Sequence, residues 1–116
     1  MFKVMMLLNK KPELTREQFI DYYDKRHVPL VHSLLPKGAA VHRRNFVAAG
    51  QAPIGDCDAV VEVFYEDLET AQAATRAMAD PVVRQRVEAD EDQFIQRGSI
   101  RRFIVEVHET VYRPLP

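Results

Sequence analysis

The chain has 116 residues, 47% of them hydrophobic, which is enough for one domain, residues 1–116, with a core of its own. Its 16 basic and 17 acidic residues leave a net charge of −1 and form no long basic run, which argues against nucleic acid as a partner, because phosphate binding needs a clustered positive surface. The single cysteine, Cys57, excludes an intrachain disulfide and suits a reducing compartment.

Phe2 to Leu8 is a short apolar run ended by Asn9-Lys10-Lys11-Pro12, and it reads as a strand. It is too short to span a membrane and lacks a leader's cleavage site, so the expected location is the cytoplasm. Both its faces are apolar apart from Lys3, the pattern of a strand covered on both sides. Thr15-Arg16-Glu17-Gln18 is a capping box that opens a helix. Phe19, Tyr22, Tyr23, Leu30, Val31 and Leu34 continue it at helical spacing. Pro29 predicts a kink or break near Lys25 to Val28, and Pro36-Lys37-Gly38 a stop.

Ala39 to Ala49 reads as a second strand, Gly50 to Gly55 as a loop, and Cys57 to Tyr65 as the clearest strand of the chain. Asp67 caps a predicted helix from Leu68 to Met78. Asp80-Pro81 starts a short helical turn, and Glu88 to Asp92 is an acidic stretch followed by an apolar hook at Phe94 and Ile95. Ser99 to Tyr112 reads as a long last strand, and Arg113 to Pro116 as a tail. The order β, α, β, β, α, β predicts a ferredoxin-like α+β fold, a four-stranded antiparallel sheet with its helices on one face. The bare face of that sheet predicts a homodimer packed sheet against sheet.

His27 is the sharpest chemical candidate. It follows Tyr23 by four residues, on the same helical face, just before Pro29. An imidazole there can move a proton near neutral pH, or can simply cap the broken helix. Tyr22 and Tyr23 supply aromatic packing, or a phenol for a ligand. His42 and Arg44 share a face of the second strand, and Glu62 shares its face of the third with Val60 and Phe64. A carboxylate in an apolar strand must be paired or solvated. Facing the helices, Glu62 would line a pocket with a raised pKa; facing outward, it would pair with Arg44, Arg102 or a dimer partner. Glu106, His108 and Lys3 read as polar sheet positions or dimer contacts. No metal-ligand spacing, phosphate loop, CxxC, HExxH or GxSxG is present, so no cofactor or metal is expected.

The stretch Lys10-Lys11-Pro12-Glu13-Leu14-Thr15-Arg16-Glu17-Gln18-Phe19, followed by Tyr23-Asp24-Lys25-Arg26-His27-Val28-Pro29-Leu30, resembles the EthD family. Asp58 to Tyr65 and Asp90-Glu91-Asp92-Gln93-Phe94 are similar to further family segments in the same order. The resemblance implies a dimeric α+β barrel with a ligand cavity between helices and sheet. It places the family's histidine and strand carboxylate at His27 and Glu62, the catalytic candidates. Tyr23, His42, Arg44 and Phe64 are the candidates for binding substrate. It implies a cofactor-free isomerase, lyase or cyclase acting on a small hydrophobic oxygenated compound. The alternative is a non-catalytic binding protein that serves a partner oxygenase.

Overall fold

A computed structural model describes residues 2–35, 39–51 and 57–114. The expected stop at Pro36-Lys37-Gly38, most of the Gly50–Gly55 loop and the end of the tail lie outside the described residues. Four strands, β1 (Phe2–Leu8), β2 (Ala39–Phe46), β3 (Ala59–Tyr65) and β4 (Arg101–Glu106), form one sheet in the order β2-β3-β1-β4, every neighbouring pair antiparallel. The helices are α1 (Arg16–Tyr22), α2 (Val28–Leu34), α3 (Leu68–Ala79) and α4 (Pro81–Glu91). This is the ferredoxin-like α+β arrangement that the element order predicts.

Alternation along β3 decides which face the helices cover. Ala59, Val61, Val63 and Tyr65 are buried, whereas Val60, Glu62 and Phe64 are half-buried. Register carries that alternation across the sheet, because Met6 lies opposite both Val61 and Arg102, and Arg44 lies opposite Val61. Phe19 and Tyr23 pack on the covered face with Leu8, Ala59, Val61 and Phe94. Ala71 and Ala74 of α3 pack beside Val63 and Tyr65. Small residues let that helix lie close to the sheet.

The capping box holds: the Gln18 amide donates to Thr15 Oγ1 at 3.1 Å, and the Thr15 amide donates to Gln18 Oε1 at 2.9 Å. The irregularity expected near Lys25 to Val28 is present as a widened turn rather than a break. Tyr23–His27 forms a π-helical turn, and the helix runs through it from α1 into α2. The Val28 amide reaches back five residues to the Tyr23 carbonyl. The widened turn gives the Pro29 ring room that the i−4 carbonyl would otherwise fill. It also turns both Tyr23 and His27 inward, where they are 0% and 3% exposed.

Three boundaries differ from the sequence reading. The turn at Asp80-Pro81 is the start of a full helix, since Asp80 Oδ1 accepts from the amides of Val82 and Val83 and Pro81 suits the first turn. Its polar sequence conceals it, for only Val87 and Glu91 are buried. The last strand ends at Glu106, opposite Phe2 of β1, and not at Tyr112. β2 likewise ends at Phe46, opposite Ala59 where β3 begins.

Candidate functional site

A cavity of about 160 Å³ lies between the helices and the covered face of the sheet. Its wall is mostly apolar, with Val4, Met6, Val31 and Val63 among the lining side chains. The π-helical turn adds Tyr23 and His27, and β2 adds His42. An apolar cavity of about 150 Å³ holds benzene, so the space suits a fragment of one ring.

His27 Nδ1 lies 2.8 Å from Asp90 Oδ2, and the Tyr22 hydroxyl donates to Asp90 Oδ1 at 2.6 Å. A carboxylate oxygen only accepts, so Nδ1 carries the proton and Nε2 keeps its lone pair. Nε2 has no hydrogen-bond partner among the described residues. Burial lowers the His27 pKa below its ordinary value, and Asp90 only partly opposes this. The ring therefore stands neutral at pH 7, the form that can accept a proton. Burial and the bond to Asp90 push the Tyr22 pKa up to about 12, which keeps its hydroxyl a donor.

Tyr23 and His42 complete the polar lining. The Tyr23 hydroxyl and His42 Nε2 are both buried without a partner among the described residues. Each such atom costs about 1–3 kcal/mol unless something bonds it, so a ligand oxygen at these positions would be stabilised. Burial, then the Arg44 charge, lower the His42 pKa to about 4. The Glu91 carboxylate, 7% exposed, accepts from Arg102 Nη2 at 2.5 Å in the same wall. Burial raises the Glu91 pKa, against the Arg102 charge. Among the described residues, no group of three or more His, Cys, Asp or Glu could hold a metal ion.

Both cavity histidines make the protein sensitive to acid. Each has a lower pKa folded than unfolded, so the unfolded chain binds more protons as pH falls below about 6.5. The His42 contribution to stability is complete above that pH and is lost as pH falls through about 4, and the His27 contribution is lost in the same direction. The melting temperature is expected to drop between pH 7 and pH 4.5, and less steeply in His42→Gln. An identical drop in that variant would remove His42 as a source.

The structure separates the two residues paired as catalytic in the sequence reading. Glu62 lies on the opposite face of the sheet from His27, because even positions of β3 point away from the helices. It pairs there with Lys3 Nζ at 2.5 Å and accepts from Asn45 Nδ2 at 3.0 Å. Those contacts, the Lys3 bond first, lower its pKa rather than raising it. Phe64 is on the outer face too, with Lys3 Nζ 5.2 Å and Arg43 Cζ 5.0 Å from its ring centre. Arg44 does face the helices, but its Nε binds Asp24 at 2.8 Å and it does not line the cavity.

Asp90, the partner His27 does have, belongs to the acidic stretch Glu88 to Asp92, which the sequence reading does not mark as part of a site. A signal was present in the sequence: Asp90 precedes Phe94 by four residues, and Glu91 precedes Ile95 by four. Apolar residues at that spacing mark the inward face of a helix. In the structure Phe94 and Ile95 are 0% and 2% exposed, and the His27 and Phe94 rings lie 4.8 Å apart.

The chain is similar over its whole fold to solved structures. An ethyl tert-butyl ether D (EthD) family protein from Bacillus halodurans is 20% identical, with a TM-score of 0.64 over 93% of this chain and 99% of that one. A dimeric ferredoxin-like protein from Jannaschia is 14% identical, with a TM-score of 0.59 over 91% of this chain and 98% of that one. A stretch of 75 residues is 35% identical to the inner capsid protein VP2 of Rotavirus A; it is 65% of this chain but only 8% of that protein's length. The EthD domain profile matches residues 11–98, about three quarters of the sequence, and the chain belongs to the EthD family.

Proposed function

We propose that this protein binds a small hydrophobic oxygenated compound and acts on it as a cofactor-free acid–base isomerase, lyase or cyclase. The observation that carries this reading is the His27–Asp90 pair, 2.8 Å apart, whose imidazole stands on the wall of an apolar cavity. His27 Nε2 takes a proton from a carbon beside a carbonyl. The Tyr23 hydroxyl, buried and unpartnered, donates to the oxygen on which charge develops. The apolar wall excludes water and holds the ring or chain.

The test is turnover by the wild type of enolisable lactones and ketones of one-ring size, with no added metal or cofactor. Thermal shift is followed on the same compounds. Shifts without conversion across the whole panel would favour a non-catalytic carrier, for which the unpartnered Tyr23 hydroxyl is an equally good hydrogen-bond donor.

The reading includes a single domain that works as a homodimer in a reducing compartment such as the cytoplasm. The outer sheet face supports the pairing, since it carries Val60 and Phe64, and Val41 and Phe103 are each 45% exposed there. The similar Jannaschia protein is dimeric. Sedimentation is expected to give twice the chain mass of 13.4 kDa, and a species of single-chain mass at micromolar concentration would count against pairing. No described helix is long and apolar enough to cross a membrane.

A further inference from the structure

The chemistry so far uses one imidazole, yet a second stands in the same wall. His42 Nε2 is buried and unpartnered, while His42 Nδ1 lies 3.0 Å from Nε2 of His32. His32 is exposed on α2. The two rings lie 5.2 Å apart, inclined at 43°. Two imidazoles thus run end to end, one exposed on α2 and the other among the residues that line the cavity. An imidazole accepts at one nitrogen while donating at the other, so such a pair can pass a proton without moving.

We propose that His32 and His42 form a proton relay between bulk water and the cavity, with His42 as a second proton-transfer group beside His27. The role in catalysis rests on the acid–base reading above, whereas the relay is a property of the ligand-free protein. Water gives a proton to His32 Nδ1, and His32 Nε2–H passes its proton to His42 Nδ1. His42 Nε2–H then passes its own proton to the ligand carbon that His27 left with an electron pair; the proton taken by His27 leaves to water with the product and neutralises the hydroxide left by the donating water. His42 changes tautomer and never holds two ring protons. That suits its surroundings, because burial, Arg44, His32 and His27 all disfavour its charged form.

Tyr23 lies between the two groups, its ring centre 5.4 Å from His27 and 6.3 Å from His42. A proton removed by one imidazole can therefore be replaced by another that came from water, and an isomerised product would carry solvent hydrogen.

Nitrogen NMR of histidine-labelled, ligand-free protein tests the relay directly. The expected result is a His42 ring protonated at Nε2 whose proton exchanges with water. His32→Phe should slow that exchange about tenfold or more. His32→Gln keeps a donor toward Nδ1, so the tautomer should stay while exchange still slows. Both substitutions fall at one exposed position, and unchanged amide spectra outside α2 would show that the fold is kept. Exchange at the wild-type rate in both variants would overturn the relay, since the proton would then leave through the cavity mouth. A panel of compounds that are not turned over would bear on His27 and leave this result standing.

Discussion

Replacing His27 with Gln is expected to slow turnover by about 10²–10⁴-fold, the usual range for losing a positioned base. Gln is close in volume and can still bond Asp90, so the buried site stays filled and the fold should persist. The amide cannot accept a proton at a useful pKa. Asp90→Asn should act in the same direction by a different route. An Asn amide can donate to Nδ1, which moves the ring proton to Nε2 and removes the lone pair from the cavity. The Asn Oδ1 can still accept from the Tyr22 hydroxyl, so the site stays built and the loss should fall in kcat. Glu62→Gln serves as the contrast, because Glu62 is bonded to Lys3 on the far face. It should weaken stability or pairing and leave kcat near the wild-type value. Equal kcat in wild type and His27→Gln would remove the imidazole from the chemistry, and a Glu62 effect as large as the His27 effect would point to a different site.

Phe19→Ala is expected to lower the unfolding free energy by about 3–5 kcal/mol. Phe19 is 1% exposed and its ring meets Tyr23, Phe46 and Phe94 at centroid distances of 6.0, 5.7 and 5.8 Å. The truncation therefore opens a void among three other rings, which are fixed by the π-helical turn, β2 and the turn after α4 and cannot collapse into it together. Domains of this kind are stable by only about 5–15 kcal/mol, so much of the total would be lost. Urea unfolding measures it: the midpoint should fall with the slope unchanged. A loss below about 1 kcal/mol would show that the site repacks freely, against the close packing expected of such a core. Tyr23 and Phe94 also border the His27 ring, at 5.4 and 4.8 Å, so the variant should blur the cavity as well as weaken the fold.

Local chemistry was enough to place most of the secondary structure. The Thr15 box, the Asp67 cap and the apolar alternation from Ala59 to Tyr65 each act over a few residues, and each appears where the sequence puts it. The order of those elements was enough for the ferredoxin-like sheet, and His27 was legible because its helical face and Pro29 are neighbours in the chain. The rest depends on contacts made across the fold. Pro29 announced an irregularity, but whether the helix breaks or widens depends on the burial that the Tyr23 and His27 rings gain. The register of β4 is set by its pairing with β1, about a hundred residues away in the chain. The side of the sheet on which Glu62 lies is fixed by register and by which face the helices cover, and a carboxylate fits either side on paper. Asp90 becomes the partner of His27 only because α4 packs beside the π-helical turn, 63 residues along the chain. Residue type and spacing determine what a group can do, whereas the pairing of a base with its acid is a long-range contact that only the assembled tertiary structure decides.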